Sequence, residues 1–515
     1  MALSLGSALA TRVYLGATEI NLAYFGATQV YTSSAFSAEA QNYFDRLDTA
    51  GDTTYVDYKQ PLANYIDSLV TLGGAYWDDM GSAASFVGVG IQGVTVPLKS
   101  TMTALTNNNF VAGDLDPLTG LLSDGSTKYL ATGLTGTDLS QDDHSFSVYA
   151  SSGATTGFLG GLYGTNFNRT IATALTPTGT SFYSTAPLDA SSKITSTPSL
   201  VGLSRSASTE FTARTNQGNE TFTRTSGVPN TGGLSLYAVG AGVAPTAARL
   251  ATYHAGPALN LATLEGLQAT LLSEVAAAKG AAAAANYFAR LDTAGDTTYV
   301  PYKQPLTNYI SSLVALGGAY WDDLESAASF VGVGIQGITV PLRDGMPTLT
   351  NNNFVAGDLN QLTGLKGDAS TKYFGLNILG SVVEQDNASI SVYITEADGA
   401  FGFHMGHQGN RLTLRNNPYV ELNGAAAAPT NGKPTSKIFG GSRTTSTDVD
   451  VRNNQVTSTI SNTSLSPSAS TMFLFARVTS ASSKARLATY HIGSALDLAT
   501  LEGLQDTLIT EIAAI

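Results

Sequence analysis

Few residues in this chain could do chemistry, and each set lacks a member its chemistry needs. A glycoside hydrolase requires two carboxyl groups about 5–10 Å apart on one substrate-facing surface. The best alternating pair is Asp448 and Asp450 in TDVDV, but an earlier, related stretch carries Glu210 and Thr212 at those positions. The plainer reading is a solvated strand face. His404-Met-Gly-His407 sets two imidazoles close together without a third ligand at zinc spacing, which reads as a pair of loop histidines. His254 and His491 each end an ARLATYH block and are expected as partly buried, hydrogen-bonded residues before a turn. No Gly-x-Ser-x-Gly elbow or paired nucleophile accompanies them. Asp48, Asp52, Asp78, Asp79 and Asp114, with Asp292, Asp296, Asp322, Asp323 and Asp358, offer oxygens for calcium but no ligand series of defined spacing. Gly88-Val-Gly90 with Gln92-Gly93 lacks the third glycine and the helix of a dinucleotide fingerprint and reads as a turn-rich strand. No catalytic, cofactor or metal residue is assigned, and the chain is expected to be non-enzymatic and free of cofactors.

What must position these residues is present twice. Asn42 to Leu130 returns as Asn286 to Phe374 at an offset of 244, with RLDTAGDTTYV, GGAYWDD, SAASFVGVGIQG and TNNNFVAGDL repeated verbatim. ARLATYH and LATLEGLQ close each copy at an offset of 237, so seven net residues are lost in the diverged region between. A unit of this size can fold alone. The expected organisation is an appendage at 1–34, a first repeat at 35–280 and a second at 281–515.

Each repeat opens with helical signals. Ala38–Leu47 is helix-prone and LDTAGD breaks it. Leu62, Tyr65, Ile66, Leu69 and Val70 then form one apolar helical face, matched by Leu306, Tyr309, Ile310, Leu313 and Val314. Trp77 and Trp321, the only tryptophans, should plug the junction of helices and sheet. From about Ser85 short alternating runs such as SFSVYAS and SISVYIT, separated by Asn, Gly, Ser and Thr, indicate an antiparallel sandwich. A closing helix presents Leu264, Leu267, Leu271 and Val275 in the first copy and Leu501, Leu504, Leu508 and Ile512 in the second. The Ala-rich run Ala276–Phe288 reads as a semi-rigid helical connector. The fold class is therefore mainly β with helical additions: two tandem jelly-roll sandwiches, each with an N-terminal helical part and a closing helix. The shared core should include Leu69, Trp77, Phe86 and Leu264, with Leu313, Trp321, Phe330 and Leu501.

Composition narrows the function classes. Only 13% of the 515 residues are charged, against about 25% in ordinary soluble domains. That is the texture of exposed, turn-rich β proteins. The net charge of −13 and the lack of a basic stripe argue against nucleic-acid binding. Without cysteine there are no disulfides or thiolate metal sites. No apolar run is long enough to insert into a membrane, and MALSLGSALATRVYLG lacks the features of a secretory signal. Within 1–34, YLGATEI and YFGATQV repeat with a period of ten, each a short β-stretch, together little more than a marginal hairpin. Tyr14, Tyr24, Phe25 and Tyr31 therefore need a partner surface.

The succession SDGSTKYL, DDHSFSVY or DNASISVY, GLSRSAST or GGSRTTST, then RLATYH resembles concanavalin A-like, laminin-G-like jelly rolls. It is most similar to those in structural proteins of tailed bacteriophages, and the YLGAT repeats resemble leader segments of such proteins. The resemblance implies a virion component, a fibre, spike or decoration protein on the exposed surface of the particle. Residues 1–34 would attach it to other capsid or tail proteins or hold a homo-oligomer together. The jelly rolls would be available for adhesion to host-surface glycans, through the diverged portions Thr132–Val239 and Gly375–Val478. The alternative is a secreted carbohydrate-binding adhesin or polysaccharide hydrolase on the same fold.

Overall fold

In a computed structural model of the chain, residues 36–72, 76–152, 158–162, 182–184, 199–229, 231–238, 246–316, 320–397, 402–407, 412–415, 419–428, 432–477 and 483–515 are described in full. At 14–15, 18–19, 22–25, 28–32, 75, 157, 171–176, 179–181, 189–191 and 318–319 only the backbone is described. The chain divides into two compact units, Met1–Leu272 and Ser273–Ile515.

The first unit begins with the helix Ala38–Thr49. Ser37 caps it, its hydroxyl accepting from the Ala40 amide at 3.1 Å, and Tyr43, Phe44 and Leu47 are buried. The break after it is built by Asp52, whose carboxylate accepts from the Thr54 amide at 2.8 Å and the Gly90 amide at 2.7 Å. Gly88–Gly90 is thus no strand but a buried turn held by this carboxylate. The second helix, Lys59–Thr71, buries Leu62, Tyr65, Ile66 and Leu69 as the spacing requires.

Two antiparallel sheets follow. The larger runs Gly218–Thr223, Glu210–Thr215, Ser199–Ala207, His144–Ser152, Arg249–Gly256, Gly120–Leu122 and Leu115–Asp116, with Ser82–Ser85 also paired to Arg249–Gly256. The smaller runs Asp189–Ser191, Gly179–Ser184, Ile171–Thr176, Gly157–Leu162, Gly233–Leu236, Tyr129–Thr135 and Thr106–Asn108. Phe86, Leu130, Phe146, Val148, Leu159, Phe182, Leu203 and Tyr253 form the core between them. The second unit repeats this layout, its larger sheet centred on Ala388–Glu396 and Arg486–Gly493. Its smaller sheet runs Thr350–Asn352, Tyr373–Leu379, Thr471–Leu474, Phe403–Gly406, Leu412–Arg415 and Tyr419–Leu422. The chain is mainly β, with two tandem concanavalin A-like jelly-roll sandwiches carrying helical additions. Leu69, Trp77, Phe86 and Leu264 are buried in the first unit, and Leu313, Trp321, Phe330 and Leu501 in the second.

Three details depart from the sequence expectation. The run SFSVYAS alternates in polarity, yet His144–Ala150 is buried on both faces. Phe146 and Val148 point into the sandwich, so Ser145 and Ser147 point the other way, where small side chains let helices pack against the larger sheet. The closing helix buries Gln268 and Gln505 where its stripe had Leu267 and Leu504, which are half-buried. The buried stripe continues four residues past Leu264 and Leu501, at Gln268 and Gln505, and a polar cluster lies beneath it: the Gln505 amide donates to Thr489 Oγ1 at 2.7 Å. In the appendage each repeat pairs within itself, Tyr14–Leu15 with Thr18–Glu19 and Leu22–Phe25 with Thr28–Thr32, giving two hairpins.

Gly364 shows how tightly the larger sheet is closed. Its φ is +96°, and a Cβ there would overlap the Leu487 carbonyl; Gly120, at φ +101°, stands in the same relation to Leu250. Gly364→Ala combines a left-handed strain with a backbone clash and should cost about 3 kcal/mol. In a Trp77→Phe background Trp321 reports on the second unit alone, so its denaturation midpoint should fall.

Candidate binding site

The helices cover one face of the larger sheet in each unit, and the second sheet covers the other. On the outer face of the smaller sheet the two copies carry different residues at matching register positions. In the second unit, Val420 and Leu422 point inward, because a Cβ on Gly441 of the larger sheet would lie 2.5 Å from Val420 Cγ1 and 3.5 Å from Leu422 Cδ2. Strand alternation then places Glu421 outward. Glu421 pairs with Thr413, and Arg415, two residues on, pairs with Phe403 across the next strand. Phe403, Thr413, Arg415 and Glu421 share this face.

Their contacts confirm it. An Arg415 terminal nitrogen lies 2.9 Å from Glu421 Oε1. The Arg415 guanidinium is 5.1 Å from the Phe403 ring centroid, and the Arg477 guanidinium, from the bend beyond the strand Thr471–Leu474, is 5.5 Å from the same ring. Arg477 Nε also donates to the His407 carbonyl at 3.3 Å. Thr413 is wholly buried and Glu421 is 5% exposed. Thr413 Oγ1, Arg415 Nε and Glu421 Oε2 have no hydrogen-bond partner among the described residues. Buried polar atoms are seldom left so.

The first unit has the same strands with different chemistry. Phe158 occupies the Phe403 position and pairs with Ala174; Ala172 pairs with Tyr183. The Phe158 and Tyr183 rings are 6.2 Å apart. SLYAV against FLFAR sets Val239 at the Arg477 position. At these three sequence positions the first copy carries no charged residue. Sequence reading placed binding in the diverged portions, which include these residues, without singling them out. Comparing the two copies strand by strand would have found them, since LTLR, YVEL and FLFAR each gain a charge.

The residues singled out for chemistry lie elsewhere. Asp448 and Asp450 are on the strand Asp448–Asn453 of the larger sheet, alternating with buried Val449 and Val451. Their carboxylates accept from Thr447, Ser461 and Thr459 hydroxyls, a solvated strand face. The loop assignment holds for His407, which follows the strand Phe403–Gly406, and is corrected for His404, which lies within it, edge-on to Phe439 of the larger sheet at 6.2 Å and with Nδ1 3.0 Å from Ser483 Oγ. Both are buried. His254 and His491 are corrected too. They sit inside strands that continue to Gly256 and Gly493, and they are fully buried rather than partly. Tyr65 and Tyr76 hydroxyls lie 2.6 and 3.2 Å from the two His254 ring nitrogens; Tyr309 and Tyr320 repeat this at 2.7 and 3.1 Å from His491. Burial pushes both histidines from 6.5 down to about 3. They join helices to sheet and have no substrate access. Asp52 and Asp296 hold backbone amides. No group of three or more His, Cys, Asp or Glu converges as a metal site among the described residues. Tyr14, Tyr24, Phe25 and Tyr31 lie where only the backbone is described, so their side chains fall outside the described residues. Among the described residues no helix is long and apolar enough to cross a membrane.

No protein-family model matches the chain, and no curated protein matches it in sequence. Among solved structures it is similar to a mutant Trypanosoma rangeli sialidase displaying trans-sialidase activity, at 12% identity and TM-score 0.27 over 61% of this chain. The chain spans 44% of that protein's length. It is similar to domain 4 of AbnA, an extracellular GH43 arabinanase from Geobacillus stearothermophilus, at 15% identity and TM-score 0.21, covering 35% of this chain and 98% of that domain. It is also similar to domains LG4-5 of the mouse laminin α1 chain, at 9% identity and TM-score 0.21, covering 70% and 84% of the two chains. The fold assignment rests on the strand order described above.

Proposed function

We propose that this protein is a non-enzymatic structural component of a tailed-bacteriophage particle, exposed at the virion surface, whose jelly rolls present glycan-binding faces. The observation that carries the binding role is the contrast between its two copies. The helices, the Asp52 and Asp296 turns and the Tyr–His–Tyr contacts are the same in both units. The smaller sheet instead carries Arg415 and Glu421 at the register positions of Ala174 and Tyr183, and in sequence Arg477 stands where the first copy has Val239. A constant scaffold with a changed face is how binding surfaces are usually built. The particle context is supported by the resemblance of the jelly-roll motifs and the YLGAT leader to phage structural proteins.

In this reading residues 1–34 join the protein to neighbouring virion proteins or to further copies of itself, through Tyr14, Tyr24, Phe25 and Tyr31. Short hairpins gain little stability alone, so aromatic side chains on them call for a partner. Deleting Met1–Ser34 should leave a soluble, folded protein that no longer joins particles, measured by sedimentation with particles and immunoblotting. Normal incorporation of the truncated protein would reject the attachment role. A glycan array probed with the full chain tests the binding role, and its failure would leave an architectural protein only.

A further inference from the structure

We infer that the strand Val456–Ser461, at the rim of the second unit's larger sheet, pairs antiparallel with the same strand of a second copy of this chain. The inference goes beyond the binding role and does not involve residues 1–34. Val456–Ser461 ends its sheet, pairing on one side with Asp448–Asn453 in unbroken register. Among the described residues no strand pairs with its other side. The two-residue turn Asn454-Gln455, at φ +48° and +66°, fixes which backbone groups face where. Such a turn is closed by a hydrogen-bonded pair, here Asn453 with Val456. At the far end the Asn462 amide also donates inward, to the Thr447 carbonyl at 2.6 Å. Hydrogen-bonded pairs alternate along an antiparallel ladder, so Thr457, Thr459 and Ser461 turn their backbone groups outward. All three are exposed.

Sheet edges left in this state invite another strand, and proteins commonly block them with a charge pointing inward. The first unit has that block. Its matching strand Gly218–Thr223 carries Glu220 opposite Ala213, a residue of the core, so both point to the core side. An added strand would desolvate that carboxylate. The second unit has Ser458 there, opposite buried Val451. Its VTSTIS holds no charge, proline or glycine, and Val456 on the same strand is 50% exposed. The occupant is a second copy because the strand complements itself. About a two-fold axis at Thr459, Thr459 meets Thr459, and Thr457 of each chain meets Ser461 of the other. Each outward residue offers one donor and one acceptor, so this register makes about six backbone hydrogen bonds. The contact is closed after two copies.

The test follows the full chain by sedimentation equilibrium and by hydrogen exchange of the peptide covering 456–461. The parent should form an assembly with an even number of copies, in which those amides are protected. Thr459→Pro removes an outward donor and leaves the inward ladder intact. Ser458→Glu restores the charge that the first copy carries. Each should halve the assembly's mass and unmask the amides while circular dichroism stays that of the parent. Thr221→Pro, at the matching place in the first unit, should leave the mass unchanged. If Thr459→Pro does not fold, Ser458→Glu decides alone. A parent that stays monomeric across the micromolar range overturns the inference. So does a mass unchanged by both second-unit variants, which would put the contact elsewhere. Loss of assembly in Thr221→Pro would make the first unit's edge the partner and overturn self-pairing as well. The glycan array reads the binding role separately, so either idea can fail alone.

Discussion

Lowering the pH from 7 to 5 should destabilise both units, by about 2 kcal/mol for each buried histidine that must charge on unfolding. His254 and His491 are held at about 3 by burial, against an ordinary 6.5, and His144 at about 4 by burial. The folded state thus binds fewer protons than the unfolded state between these values. Stability is fully present above pH 6.5 and is lost as pH falls from there towards 3. The cause is geometric. Each of His254 and His491 lies between two tyrosine hydroxyls, so the neutral ring donates from one nitrogen and accepts at the other. An imidazolium would have two donors, one facing a hydroxyl that must turn away, and no carboxylate is among its partners. His144 bonds the Ser140 carbonyl and Ser184 Oγ in the same neutral form, with Arg205 nearby. Asp323 and Glu325, raised mainly by burial, act with the opposite sign but are partly exposed. Urea midpoints read at Trp77 and Trp321 should fall from pH 7 to pH 5. His491→Asn should flatten that dependence for the second unit alone. Identical midpoints at the two pH values would sink the argument.

The duplication made the framework legible. The verbatim blocks are the ones with no freedom: Asp52 and Asp296 close buried turns, and Trp77 and Trp321 are buried on the short helices Ala75–Asp79 and Gly318–Asp322. Periodicity found the helical faces because burial on a helix recurs every three to four residues. It failed at Gln268 and Gln505, since hydropathy cannot show that the surface beneath a helix is itself polar. It failed likewise at Ser145 and Ser147, where alternation marks a face turned towards helices rather than water. His254 was placed too near the surface because a histidine's burial depends on Tyr65 and Tyr76, which are nearly 190 and 180 residues away in the chain.

The binding face was illegible for a different reason. Phe403, Thr413, Arg415 and Glu421 come from three strands that only sheet register brings together, and Arg477 comes from the bend beyond a fourth. The register shifts between Phe403 and Met405. A count of alternating residues through that bulge would assign Phe403 to the wrong face. Strand pairing is a tertiary fact, so no window of sequence contains this site.

Arg443→Met should cost the second unit about 3–5 kcal/mol, among the largest losses available to a single substitution here. Arg443 is the arginine of GGSRTTST, and its counterpart Arg205 belongs to GLSRSAST. Both are fully buried. Arg443 Nε donates to the Leu422 carbonyl of the smaller sheet at 3.0 Å. Its terminal nitrogens donate to the Thr445 and Asn462 carbonyls at 3.2 and 2.7 Å and to Asn462 Oδ1 at 3.0 Å. Arg205 makes the equivalent clamp through Ser184 and the carbonyls of Ala207, Glu210 and Arg224. One planar fork therefore ties the larger sheet to the smaller and supplies donors to several buried carbonyls. Methionine keeps the volume and apolar stem but leaves those acceptors buried without donors. Lysine keeps the charge yet cannot span the fork, so Arg443→Lys should fall between methionine and the parent. Unfolding followed at Trp321 in a Trp77→Phe background isolates the second unit, and Arg205→Met with Trp321→Phe repeats the measurement in the first. If Arg443→Met unfolds at the parent's denaturant midpoint, the clamp is not what holds the sheets together. If Arg443→Lys is as stable as the parent, charge rather than the fork is what matters.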